Sequence, residues 1–492
     1  DALGSERVSW SIYRAGLRGM ANAHLDSIAA IMLGPSYDNS TRLGAAHYFS
    51  RTAKNFEKFE STLINSASDD SSVEVRMAST LALGKIVSDS CLSALRQILK
   101  NEEDYRVRVN AVRALRSFEF KKIQPDLLYA LGDTNINVSI AASEVMASEI
   151  DQQSWKDLLL LCRNTRNVRV RANLYSGILA ASDNKEVAEE VTRAFREATN
   201  PYDKAALLTS LSHSVMSFGF IQEQLFDSNV PVIKSAAANS LVAINQGKNF
   251  DGALLKEKFA TIYRKAIEDG DPAVIAIVCA ALADSTLEYR NVVKDVSFLI
   301  DAKKKLSLPM HIETIAPINA AIAYLERKHD EHSLVNTFNN PIDWSVVKSI
   351  PKNQIASMST TKGKIIISLY VEDAPGSVAN FVSLVNKRYY DDKFFHRVVP
   401  NFVVQAGCHR GDGFGSEDYS IRSEFSRRRY STGSLGMASA GKDTEGTQWF
   451  ITHSPTPHLD GSYSIFGEVV EGMDVVHSLE VGDKILKIDL IN

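Results

Sequence analysis

A chain of 492 residues is longer than one ordinary core accommodates and calls for about two to four domains or a repeat array. Apolar residues make up 45% and charged residues 23% of it, and no stretch approaches the roughly 18 uninterrupted apolar residues of a membrane span, so an integral membrane protein is excluded for this sequence. The net charge of -4 offers no global basic field, which argues against nucleic acid as the main partner.

Cys91, Cys162, Cys279 and Cys408 are far apart and show no CxxC spacing, so neither a disulfide framework nor a zinc site is suggested. Cys279, set between Val278 and Ala280, reads as a buried structural thiol. The chain opens at Asp1 without Met or a charged-then-apolar leader. Any signal peptide or lipid anchor is expected to have been removed or to lie outside this sequence.

Along residues 1–332 a short segment of the form Val-Arg-x-x-Ala recurs. Clear copies begin at Val75, Val107, Val138 and Val168, degenerate ones at Tyr202, Val232 and Val274, and an earlier one at Thr41. Successive starts are 34, 32, 31, 30, 34, 30 and 42 residues apart, the length of one helical hairpin. Within a copy Val107, Ala111, Ala114, Leu115 and Phe118 step by three and four and form the expected buried stripe, while Arg108, Asn110, Arg113 and Arg116 are expected on the wet face. Polar turns such as Asp69-Asp70-Ser71-Ser72 and Asp133-Thr134-Asn135 precede the helices and are expected to cap them. This pattern resembles HEAT repeats, which implies an all-α superhelical solenoid whose concave surface binds a partner protein; a spacer or self-packing scaffold is the alternative. Because the array opens in what already reads as helix, further repeats upstream are expected.

Residues 333–354 lose the period and contain Asn339-Asn340-Pro341 and Pro351, which reads as a connector. Strand grammar follows from residue 355 onward. Lys364-Ile365-Ile366-Ile367-Ser368-Leu369-Tyr370 is rich in β-branched residues, and Phe402-Val403-Val404-Gln405 is a second short strand. Helical patterns interrupt at residues 377–387 and 473–479. Short strands with two helices in residues 355–492 suggest a small, mostly-β closed barrel.

Three blocks in this region are specific. They are Phe395-His396-Arg397-Val398-Val399-Pro400-Asn401-Phe402-Val403-Val404-Gln405-Ala406-Gly407, then Gly436-Met437-Ala438-Ser439-Ala440-Gly441-Lys442-Asp443-Thr444-Glu445-Gly446-Thr447-Gln448-Trp449-Phe450-Ile451-Thr452, then His458-Leu459-Asp460-Gly461-Ser462-Tyr463-Ser464-Ile465-Phe466-Gly467-Glu468-Val469. In order and spacing they resemble the cyclophilins, over essentially all of residues 357–492. The resemblance implies a peptidyl-prolyl cis/trans isomerase acting on X-Pro bonds of protein clients.

Rotation about an X-Pro bond is opposed by amide resonance, with a barrier of about 18–20 kcal/mol. No bond breaks. A catalyst has only to stabilise the twisted amide, whose nitrogen becomes pyramidal and basic, with a fixed donor in a dry site. The resemblance implies that Arg397 is that donor, a surface ion-pair arginine being the plain alternative. It implies that Phe402, Val403, Phe450 and Leu459 receive the proline ring, where core packing would be their alternative role. It further implies that Gln405 positions substrate and the Arg397 side chain, with Gln448 also at the substrate. Substrate backbone is expected beside Ser439, with Ala438 and Ala440 flanking it and keeping the groove open.

Three positions depart from the commonest eukaryotic pattern, with Ser439 for Asn, His458 for Trp and Tyr463 for His. Tyr463 can still close the pocket with an aromatic wall. The change at His458 implies weakened cyclosporin binding with catalysis retained, which an affinity measurement would check. The block Pro455-Thr456-Pro457-His458-Leu459-Asp460-Gly461 looks like bacterial multidomain members and favours the cell envelope, periplasmic or lipid-anchored, over the cytoplasm.

Other signals are weaker. Gly411-Asp412-Gly413-Phe414-Gly415 is not bracketed as a dinucleotide loop, and Gly436 and Gly441 around Ser439 do not fit a nucleophile elbow. Arg427-Arg428-Arg429 reads as a solvated turn, and His329-Asp330-Glu331-His332 as a solvated helix end. No metal or cofactor is expected. The rival to an active isomerase is an idle module that captures a proline-containing loop, and the joint presence of Arg397, Phe402, Gln405, Phe450 and Leu459 favours the enzyme.

Overall fold

The computed structural model describes residues 2–54, 56–150, 154–247, 253–328 and 338–491, and its chain forms two compact units, Asp1–Gly177 and Ile178–Asn492. His329, Asp330, Glu331 and His332, and residues 333–337 of the expected connector, lie outside the described residues.

The first unit runs through α1 (Ala2–Leu17), α2 (Ala23–Met32), α3 (Asn39–Arg51), α4 (Glu60–Asp69), α5 (Val73–Leu83), α6 (Asp89–Asn101), α7 (Tyr105–Leu115), α8 (Phe120–Leu131), α9 (Ile136–Glu149) and α10 (Trp155–Asn164) into α11 (Val168–Ser182), within which the division falls. The recurring motif lies on α3, α5, α7, α9 and α11. Of these, α3, α5, α7 and α9 pack in series, each on the next, as a hairpin repeat requires. Side chains of Ser72 and Asn135 accept from backbone N–H groups in the first turns of α5 and α9, the capping their polar turns foretell. Gly84 ends α5, where a Cβ would stand 2.8 Å from Cα of Ala114 on α7. Only a glycine permits that approach.

Two of the residues expected on the wet face of α7 are instead structural. Arg108 pairs with Asp133 at 2.8 Å, and the equivalent residues Arg42 and Arg76 pair with Asp70 and Glu102, each also at 2.8 Å. Each guanidinium thus reaches the polar turn of the following repeat, and Arg76 and Arg108 also donate to carbonyls of their own preceding turn. Asn110 is buried and donates to the Met77 carbonyl at 3.0 Å across the repeat boundary. Arg113 is half-buried, leaving Arg116 as the exposed member of the four. Helical period alone cannot separate a solvated polar side chain from one satisfied by the neighbouring repeat.

The second unit continues with α12 (Lys185–Glu197), α13 (Pro201–Leu211), α14 (Phe218–Asp227), α15 (Pro231–Gln246), α16 (Ala253–Glu268), α17 (Pro272–Ala283), α18 (Ser297–Lys304) and α19 (Ile312–Glu326). Here α13, α15, α17 and α19 pack in series. The connector is partly helical, since α20 (Trp344–Ser349) is capped by Asp343 and packs on the barrel.

The barrel comprises β1 (Ile355–Thr360), β2 (Gly363–Leu369), α21 (Pro375–Asn386), β3 (Arg397–Val399), β4 (Val403–Ala406), β5 (Ser434–Met437), β6 (Trp449–Thr452), β7 (Ile465–Glu471), α22 (Met473–Ser478) and β8 (Ile485–Ile491). Its antiparallel strands follow the order β3-β4-β6-β5-β7-β2-β1-β8. The two ends meet through the Phe394/Lys484 bridge, with Phe395 N donating to Asp483 O and Ile485 N to Lys393 O, both at 2.8 Å. Closure removes the free edges that an open sheet would expose. Trp449, Phe381, Tyr390, Phe395 and Phe466 fill the interior.

Candidate active site

Strand alternation builds the site. On β3, β4 and β6 the inward residues Val398, Val404, Ala406, Trp449 and Ile451 enter the core, so their neighbours face outward. Register then aligns Arg397 opposite Gln405, Gln405 opposite Phe450, and Phe450 opposite Gly436. A charged donor, an amide and an aromatic ring therefore share one face in one row. At Gly436 a Cβ would lie 2.6 Å from Cζ of Phe450, so the glycine leaves room for that ring.

Beside the row lies a second, smaller apolar cluster of Val403, Tyr430, Phe450, Leu459 and Ile465, against which Phe402, Ala438 and Tyr463 pack. Tyr430 stacks on Phe450 with centroids 5.6 Å apart, and Tyr463 meets Phe450 edge-on at 6.0 Å. His458 stacks on Phe402 at 5.5 Å. The Arg397 guanidinium stands 5.7 Å from the Phe402 ring centroid, exposed, and among the described residues no carboxylate pairs with it. Its donors are open to a ligand.

Gln405 donates to Gln448 Oε1 at 3.1 Å, and Gln448 donates in turn to Gly413 O at 3.1 Å. The Gln405 amide is thus tied to the loop at 413 and not to Arg397 itself. On the other wall Ala438 is half-buried, Ser439 half-exposed and Ala440 exposed; Ala440 N donates to Thr444 Oγ1 at 2.9 Å. His396, buried behind the row, is held neutral, its pKa lowered to about 4 by burial and then by the Arg397 charge.

All twelve residues expected at the site therefore lie on one face or rim of the barrel. Two contributors were not foreseen. Tyr430 forms the floor of the apolar cluster, yet it follows Arg427-Arg428-Arg429 in a stretch without periodicity. That triplet is exposed as expected, with Arg428 stacked on Tyr370 and paired with Asp373. The other is Gly411-Asp412-Gly413-Phe414-Gly415, which packs against the helical array. Tyr202 Oη donates to Gly411 O at 2.6 Å, Arg410 donates to both carboxylate oxygens of Asp271 at 3.0 Å, and Ser416 N donates to Met310 O at 3.2 Å.

Both parts of the chain are similar to known proteins. The sequence model described as "Cyclophilin type peptidyl-prolyl cis-trans isomerase/CLD" matches residues 355–489, and the HEAT-repeat model matches residues 29–116 and 92–178. A peptidyl-prolyl cis-trans isomerase of Synechococcus elongatus is 44% identical over 138 residues, 28% of this chain and 95% of the relative. Peptidyl-prolyl cis-trans isomerase B of Bacillus subtilis is 47% identical over 122 residues, 24% of this chain and 85% of the relative. A crystal structure of a Cryptosporidium parvum cyclophilin type peptidyl-prolyl cis-trans isomerase aligns over 28% of this chain and 98% of its own, at 28% identity and a TM-score of 0.27. With a relative matched over nearly its whole length, the chain belongs to the cyclophilin-type peptidyl-prolyl cis/trans isomerases, its catalytic domain preceded by HEAT repeats.

Proposed function

We propose that X-Pro bonds of protein clients isomerise in the groove between Arg397 and the Phe402, Val403, Phe450, Leu459 cluster, while the repeats hold the client. The proline ring, wholly hydrocarbon, is received by the apolar cluster, and Tyr463 and His458 wall its ends. Client backbone runs along Ala438, Ser439 and Ala440. As the amide twists, its nitrogen loses conjugation and gains a lone pair, which the Arg397 guanidinium stabilises by a hydrogen bond. A guanidinium suits this step because it is rigid and always protonated, and it has no proton to exchange in a reaction that breaks no bond. Gln405, fixed by Gln448, orients the carbonyl side of the amide.

The observation that carries this reading is the Arg397 guanidinium, without a carboxylate partner among the described residues, held over the Phe402 ring at the mouth of an apolar pocket. The test is a protease-free isomerisation assay on a proline peptide, comparing the full chain with Arg397→Ala. Loss of one such donor is expected to lower kcat/KM by about 100-fold or more. Equal rates for the two proteins would rule the mechanism out. Run on a protein whose refolding is proline-limited, the same assay should show a lower KM than the short peptide does, as client binding by the repeats requires. The bacterial character and envelope location favoured by the Pro455–Gly461 block belong to this proposal, and cell fractionation tests them.

A further inference from the structure

We propose that Glu313, brought to the rim of the isomerase groove by the helical array, is a specificity-determining residue that favours clients carrying a lysine or arginine within two residues of the isomerised proline. This deepens the proposed function and rests on its assignment of client backbone to Ala438, Ser439 and Ala440.

A cavity of about 80 Å³ lies where those three residues meet Gln405, Gln448 and the loops at 413–416 and 444–447, and Met310, Ile312 and Glu313, at and just before the start of α19, close one side of it. The array therefore completes a compartment of the groove that the barrel alone leaves open. The loop of Gly413 and Gly415 joins the two walls. Gly415 N donates to Glu313 Oε2 at 3.3 Å, and Ser416 N donates to Met310 O at 3.2 Å, so Glu313 is fixed in position.

Glu313 is the charged side chain lining this cavity; the other lining residues are small, polar-neutral or apolar. A carboxylate has about four acceptor sites, and the one long bond from Gly415 leaves most of that capacity unfilled. Half-burial disfavours its charge, and Asp412 nearby adds to the penalty, so its pKa is raised. The neighbouring guanidinium, Arg410, is itself engaged by Asp412 at 2.9 Å and Asp271 at 3.0 Å, and among the described residues no cation pairs with Glu313. A cationic head group entering the cavity would satisfy the free acceptors and relieve the desolvated charge together. The volume is ample for the end of an extended side chain, since a single water needs only ~10–15 Å³, but is tight for an aromatic ring. Lysine and arginine fit both conditions.

The experiment measures kcat/KM of the full chain on proline peptides bearing lysine, norleucine or glutamate at each of the two positions on either side of the proline. At one of these positions lysine is expected to be preferred over norleucine by about fivefold, equivalent to about 1 kcal/mol. In Glu313→Gln the ratio should fall to near one, and in Glu313→Lys glutamate should become preferred over lysine. A ratio near one everywhere in the wild type, or a lysine preference that survives Glu313→Gln, overturns the inference. A ratio taken within one preparation does not depend on the fraction folded, so a stability loss cannot imitate either result. Turnover of the norleucine peptide that persists in Arg397→Ala would instead bring down the underlying site reading. If Arg397→Ala abolishes it while the lysine ratio ignores Glu313, only the present inference falls.

Discussion

At the scale of single residues, the barrel buries an acid whose proton is held well above the usual carboxylate range. Glu445 is fully buried and accepts from Ser464 Oγ at 2.8 and 3.0 Å. Burial raises its pKa to about 8. Below about pH 4.5 the group is neutral both folded and unfolded. Between that value and 8 the folded chain keeps a proton that the unfolded chain has lost, so its contribution to stability declines as pH rises and levels off above 8. The slope approaches roughly 1.4 kcal/mol per pH unit inside the window. Glu445→Gln, which imitates the protonated acid, should flatten this decline and equal or exceed the wild type in denaturant midpoint near pH 8. Parallel stability curves for the two proteins across pH 5–8 would show that Glu445 titrates normally.

At the scale of elements, the arginines of the repeats do what their apolar stripes cannot, which is to fix each hairpin against the next. Arg108→Met strips Asp133, whose side chain is 7% exposed, of its partner, and should cost ~2–3 kcal/mol in chemical unfolding. Lys185→Met should cost less than ~1 kcal/mol, because its contact with Glu189 is 3.7 Å long and both side chains are largely exposed. Similar losses for the two variants would remove the special role given to the rung. This contrast also marks what the sequence discloses. The helices of the motif, the caps at Ser72 and Asn135, the strands around Ile365 and Val404, and the whole row from Arg397 to Phe450 were readable, because each is set by local periodicity or by contiguous blocks. The burial of Asn110, the partner of Arg108, the floor supplied by Tyr430 and the contribution of Glu313 were not. Each depends on a residue distant in sequence, and a polar side chain carries no local mark of whether water or protein will satisfy it.

At the scale of the molecule, the barrel and the later helices of its unit form a continuous structure through the loop at residues 407–416. Four residues after the cap, where the first unit has its pairing arginines, α13, α15 and α17 carry Lys204, Lys234 and Ile275, and the guanidinium reaching the start of α17 is Arg410 from the barrel. Asp271 both caps α17 and binds Arg410, with the two side chains only 13% and 14% exposed. Tyr202 adds its bond to Gly411 and an edge-on contact with Phe394 at 5.2 Å. The same loop holds Gln448 through Gly413, and Gln448 holds Gln405. Slackening the docking contact should therefore disturb binding in the groove more than the chemical step. Asp271→Asn keeps the cap, which asparagine supplies as well as aspartate, while withdrawing the charge from Arg410. It should raise KM for proline substrates several-fold and leave kcat within about twofold, the split expected when ground-state and transition-state binding weaken together. Tyr202→Phe should act in the same direction, and the double variant should fall short of the sum because both act on one loop. Unchanged KM in both single variants would mean that the array and the groove, though in contact, are energetically independent, and that the helices serve the enzyme only by what they bind.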